Sequence, residues 1–270
     1  MKKVLLRTFC VLLLINIFVP SISAYAASEM HWYCKRNKDH KQPSVDTDMS
    51  FIEKCGGFYV DKNHGDDCDE KVVYLTFDVG YENGNVGKIM DTLKEEGVRG
   101  SFFVLGNVID RNPELIKRMN DEGHLVCNHT THHKNLVGAG KETFDTELLT
   151  LEKKYKDLTG KDMAKFYRPP EGTFDKTTLE YAKELGYSTV FWSFAYADWD
   201  NNKQMSEDKA LEKILSNIHN GEIMLLHPTS DTNAKIMGRL VKELKSQGYK
   251  FSTLDELMQK EDTDLKGDQE

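Results

Sequence analysis

From Lys71 onward the chain alternates short apolar runs with stretches of helical periodicity. Val72-Val73-Tyr74-Leu75-Thr76-Phe77 is rich in β-branched and aromatic residues and reads as a buried strand. The next stretch sets Val86, Ile89, Met90 and Leu93 on one face and stops at Gly97, which predicts a helix. A strand over 101–105 follows. Asn112-Pro113 opens a second helix, closed by Gly123, and 125–127 reads as a third strand. Further helices are expected over 144–158, 176–185, 208–219, 233–247 and 254–258, with strands over 166–168, 187–192, 222–226 and 249–251. About seven strands in alternation with helices predict a parallel, barrel-like α/β domain spanning 71–258. Residues 27–70 are polar and irregular and read as an N-terminal extension over that domain. Residues 259–270 read as a loose charged tail.

The start of the chain has a different character. Lys2, Lys3 and Arg7 precede an apolar run from Phe9 to Val19, and small residues end at Ala24-Tyr25-Ala26. This is the layout of a secretory signal peptide over 1–26. The run is shorter than the roughly 20 residues that span a bilayer, so membrane anchoring is expected only if the signal stays uncleaved. Its removal takes away three basic groups and no acidic ones, moving the net charge from −8 to −11. Such an acidic exported domain is a poor partner for nucleic acid. Cys34, Cys55, Cys68 and Cys127 remain, without C-x-x-C spacing. They permit disulfides in three connectivities, including a staple of the N-terminal arm.

In barrels of this kind chemistry gathers where the strands end. The residues at those ends are Asp78, Asn128-His129, Arg168-Pro169-Pro170, Asp198-Trp199 and His227. His129-Thr130-Thr131-His132-His133 offers imidazoles in a polar loop; the pair four apart, His129 and His133, can converge on one divalent ion. A solvated histidine cluster explains that motif alone equally well. Asp78 can take a proton from a metal-bound water, and His227 can return one to a leaving amine; singly, each is as readily a turn cap or a structural histidine. Asp198 can pair with Arg168, because guanidinium and carboxylate fit bidentately. Five such signals in one layer point to a hydrolytic site.

Thr76-Phe77-Asp78, His129-Thr130-x-x-His133, Arg168-x-Pro170, Asp198-Trp199 and Leu225-x-His227 together resemble the five motifs of the polysaccharide deacetylase family, also called NodB-homology or family 4 carbohydrate esterases. The resemblance covers roughly 71–258. It implies a distorted (β/α)7 barrel with an irregular N-terminal extension, and hydrolysis of N- or O-acetyl groups on polysaccharides. It implies Asp78 as base, His227 as acid, His129 and His133 as ligands of a divalent ion such as zinc, and Arg168 as the residue positioning Asp78, supported by Asp198. Tyr81, Pro170, Trp199 and Leu225 are then substrate contacts. One departure stands out: the family carries a metal-binding aspartate where this chain has Val79, so metal binding should be weak.

Gly80-Tyr81-Glu82-Asn83-Gly84 and Phe191-Trp192-Ser193 are most similar to the δ-lactam-biosynthetic de-N-acetylases of endospore formers. That implies a peptidoglycan glycan strand as substrate, with N-acetylmuramic acid freed of its stem peptide leading to the muramic δ-lactam of spore cortex. The location implied is secreted or wall- and membrane-associated, including the intermembrane space of the developing spore. An N-acetylglucosamine-polymer deacetylase, an O-acetyl xylan esterase and a catalytically degenerate glycan-binding barrel are the alternatives.

Overall fold

The computed structural model describes residues 28–37 and 39–258; the expected signal peptide over 1–26 and the expected charged tail over 259–270 fall outside the described residues. Among the described residues no helix is long and apolar enough to cross a membrane.

The elements run in the order β1 (Met30–His31), α1 (Phe51–Lys54), β2 (Gly57–Phe58), β3 (Lys71–Val79), α2 (Asn85–Glu95), β4 (Ser101–Val104), α3 (Gly106–Arg111), α4 (Pro113–Asp121) and β5 (Leu125–Asn128). They continue with α5 (Lys141–Thr159), β6 (Phe166–Tyr167), β7 (Thr173–Phe174), α6 (Lys176–Glu184), β8 (Ser188–Val190), α7 (Glu207–Leu215), β9 (Glu222–Leu226), α8 (Asp231–Ser246) and β10 (Tyr249–Ser252). Strand β3 is the hub. It pairs in parallel with β4, β9 and β10, and the sheet continues from β4 through β5 and β6 to β8. Past β8, Phe194 bridges to Met224 of β9 and brings the sheet back toward its start. The result is a curled parallel sheet, a distorted (β/α)7 barrel.

Side-chain alternation along β3 decides what faces what. Val73, Leu75, Phe77 and Val79 join one apolar cluster with α2 and α8, while Val72 and Tyr74 belong to another with Phe103, Cys127, Val190 and Ile223. Asp78 has the parity of Val72 and Tyr74, and so turns to the barrel interior. Each fully buried side chain of this kind contributes about 1.5–3 kcal/mol.

Besides the short β1, α1, β2 and β7, which the sequence pattern did not predict, two helices depart from it. Helix α3 was not expected, being a six-residue segment too short to show a period. The helix expected over 208–219 stops at Leu215, where the Asn217 side chain donates to the Lys213 carbonyl at 2.8 Å and draws the backbone out of helical bonding.

The N-terminal segment is pinned without disulfides, since Cys34, Cys55, Cys68 and Cys127 are all free thiols. Strand β2 pairs with β8, and Val60 bridges to Glu222 of β9. Trp32, buried against Phe191 and Tyr59, donates its backbone N–H to Gly172 and its indole N–H to the Trp192 carbonyl, at 2.8 and 2.9 Å.

Candidate active site

At the C-terminal ends of the strands lies a cavity of about 600 Å³. Asp78, His129, His133, Glu171, Trp192, Tyr196, Trp199, Leu225 and His227 contribute to its walls.

Arg168, just past β6, is fully buried and stacks on the Phe103 ring, 4.1 Å from its centroid. Its guanidinium donates to Asp78 Oδ1 at 2.7 Å, to the Thr76 hydroxyl at 2.9 Å and to the Val190 carbonyl at 3.1 Å. Thr76 in turn donates to the Met224 carbonyl at 2.8 Å, so β3, β6, β8 and β9 all constrain the guanidinium. Burial would push the Asp78 carboxyl up. The charge of Arg168, with His129 and His227 facing it, outweighs burial and holds the carboxyl below its usual range.

His129 Nδ1 is 2.8 Å from the Arg168 carbonyl oxygen. A carbonyl only accepts, so Nδ1 carries the hydrogen and Nε2 keeps its lone pair. That Nε2 lies 3.6 Å from Asp78 Oδ2. Burial drives the His129 pKa down to about 4, which leaves the imidazole neutral and fit to be a ligand. The exposed His133 ring sits 5.0 Å away, centroid to centroid. Positive φ values at Thr130 and His133 shape this loop, and the Thr130 hydroxyl accepts from the His133 N–H at 2.9 Å. His132 turns the other way: its Nδ1 is 2.8 Å from Glu147 of α5.

The Arg168–Asp198 pairing expected from the sequence does not form. Arg168 is taken by Asp78, and Asp198, with no exposed side-chain surface, accepts instead from the His227 N–H at 2.8 Å and from His227 Nδ1 at 2.7 Å. The reason is sheet order: the end of β9, rather than that of β6, lies beside Asp198. Burial pulls the His227 imidazole down, but the hydrogen bond and charge of Asp198, helped by Asp78, leave its pKa raised. Its Nε2 remains for the cavity.

Of the four residues read as substrate contacts, Trp199 and Leu225 line the cavity, and Trp199 is 62% exposed with its ring 6.1 Å from that of His227. Tyr81 is half exposed beside the lining Gly80, and Pro170 is buried. In the turn after Pro170 it is Glu171, held at φ 57°, that reaches the wall. Gly172 follows because a Cβ there would come within 2.8 Å of the Trp192 ring. Sequence reasoning missed Glu171, Tyr196, Glu147 and Asn233. Each is an ordinary polar or aromatic residue whose role depends on a neighbour far away in the chain.

The donor set fits a divalent ion in part. His129 and His133 present imidazoles beside the Asp78 carboxylate. Val79 points into the helix-facing apolar cluster and offers no donor. Among the described residues no group of three or more metal-binding side chains converges.

A family model, polysaccharide deacetylase, matches residues 65–190. The chain is 40% identical over 230 residues to the peptidoglycan-N-acetylmuramic acid deacetylase PdaA of Bacillus subtilis, covering 85% of this chain and 86% of that one. The chain belongs to the polysaccharide deacetylase family. The barrel shares the fold of its relatives. The solved structure of Bacillus subtilis PdaA, a family 4 carbohydrate esterase, superposes with a TM-score of 0.81 at 39% identity, over 86% of this chain and 98% of that chain. A family 4 carbohydrate esterase from Bacillus anthracis gives 0.70 at 36% identity, over 86% and 97%. In this deacetylase, then, the buried Arg168–Asp78 pair and the Asp198–His227 pair border one cavity, with Asp78 and His227 at the ends of the neighbouring strands β3 and β9.

Proposed function

We propose that the protein hydrolyses N-acetyl groups from peptidoglycan amino sugars, with N-acetylmuramic acid freed of its stem peptide as the substrate and muramic δ-lactam as the eventual product. The observation that carries this reading is the juxtaposition of an ionised Asp78 with a protonatable His227, at the ends of neighbouring strands, in a cavity walled by Trp199 and Leu225. The 40% identity to PdaA, a deacetylase of N-acetylmuramic acid, supports the choice of sugar.

Asp78, oriented by Arg168, takes a proton from the water that attacks the acetyl carbonyl carbon. The carbon–nitrogen bond breaks, and His227 Nε2 delivers its proton to the departing nitrogen, so the products are acetate and the free amine. Trp199 offers a sugar-stacking face at the mouth, and Leu225 an apolar wall for the acetyl methyl. His129 and His133 would hold a divalent ion, zinc being the natural match to imidazole. When bound there it supplies Lewis-acid polarisation of the carbonyl and acidifies a water. With Val79 in place of a donor, the binding is weak. A peptidoglycan substrate calls for a location outside the cytoplasmic membrane, which the signal expected over residues 1–26 would provide.

Acetate release on three substrates tests the reading: stem-peptide-free cortex glycan, an N-acetylglucosamine polymer and acetylated xylan. Turnover confined to cortex glycan is expected. Preference for either other polymer replaces the substrate, and no release from any of them favours a glycan-binding barrel.

A further inference from the structure

The proton donor is held from behind by a residue outside every motif considered so far. Asn233 is the third residue of α8, fully buried, with its own N–H bonded to the Ser230 hydroxyl at 3.1 Å. Its side-chain amide lies 2.6 Å from Asp198 Oδ2 and 3.1 Å from the His227 carbonyl oxygen. Both of those groups only accept, so Nδ2 must face them and Oδ1 must face away. Oδ1 there receives the phenolic hydrogen of Tyr196, whose ring lines the cavity. The amide therefore has one possible orientation, and it spans Asp198, the main chain of His227 and a cavity-lining ring.

We propose that Asn233 is a positioning residue for the proton-transfer step, with Tyr196 fixing its amide. It supplies the third hydrogen bond to Asp198, beyond the two from His227, and ties the His227 carbonyl to the same side chain. Donor and orienting carboxylate are thereby locked into one unit. Tyr196 extends that unit to the wall of the cavity. A purely structural role, pinning α8 to the end of β9, would use the bond to the His227 carbonyl and have no need of the bond to Asp198.

This inference rests on His227 being the proton donor, and the experiment separates the two claims. Acetate release from stem-peptide-free glycan is measured for the whole protein carrying His227→Ala, Asn233→Ala, Asn233→Asp or Tyr196→Phe, with thermal melting of each. Asn233→Ala is expected to lower kcat by about 10–100-fold with KM within about threefold, the size of loss that orienting partners usually give. Tyr196→Phe is expected to give a smaller loss of the same kind. Asn233→Asp preserves shape and the acceptor for Tyr196, but its carboxyl can donate to Asp198 only while the pair shares a proton. The ionisable groups facing that pair are His227 and Tyr196, with Asp78 and Arg168 acting on His227 in turn. Its turnover relative to the parent protein should therefore fall as pH rises. Parental kcat in Asn233→Ala, or an Asn233→Asp profile parallel to the parent at every pH, overturns the role of Asn233, even if melting drops. Full activity in His227→Ala instead removes the donor assignment on which the inference rests.

Discussion

His129 is oriented by the main chain of Arg168, whose side chain at the same time grips Asp78: the two bonds measure 2.8 and 2.7 Å. One residue at the end of β6 thus sets both an imidazole of the proposed metal pair and the carboxylate proposed as the base. The main-chain bond does not use the arginine side chain, whereas the bond to Asp78 does.

Arg168→Ala is expected to leave Asp78 as an unpaired buried charge. Removing one partner of such a pair costs about 3–5 kcal/mol, measurable by denaturant unfolding, and deacetylation should be lost with it. Asp78→Asn keeps an acceptor for the guanidinium and should stay folded, while turnover falls by about 10²–10⁴-fold. Retained turnover in Asp78→Asn would remove the base from the mechanism.

Activity should follow a bell in pH, with Asp78 ionised and His227 protonated. Arg168 keeps the Asp78 carboxyl low, so the acid limb lies below the ordinary carboxylate range. Asp198 keeps His227 raised, so protonation is retained above the usual imidazole value and activity falls only as pH climbs past it. Asp198→Asn removes the raising charge, and the alkaline limb of kcat/KM should move to lower pH. An unmoved limb would assign that limb to another group.

Metal binding should be weak and depend on both imidazoles. Titration calorimetry of the protein with zinc is expected to show a single low-affinity site that His133→Ala abolishes. Since His133 is exposed, that variant should melt within about 1 kcal/mol of the parent, surface changes being mild. Equal zinc affinity in parent and variant would place the ion elsewhere.

Trp32 lies far from the motifs in sequence, yet it backs the cavity wall through Gly172 and Trp192. Trp32→Ala should destabilise by about 3–5 kcal/mol through the void it leaves. It should also raise KM by loosening the turn that carries Glu171. Unchanged KM in the folded variant would confine Trp32 to a packing role.

The sequence alone determined that this is an alternating α/β chain, and which residues stand where its strands end. Those features are local: strand alternation, helix periodicity and the glycine and proline stops act within a few residues. It also carried the motif order that the family resemblance read. Tertiary structure decided who meets whom. Arg168 takes Asp78 rather than Asp198, His132 leaves the site for Glu147, Val79 turns to the helices, and Asn233 bonds to Asp198. Those choices depend on strand order and register across separations such as the 90 residues from Asp78 to Arg168. A hydrogen bond needs its partners placed to within a few tenths of an ångström, and only the closed sheet supplies that placement.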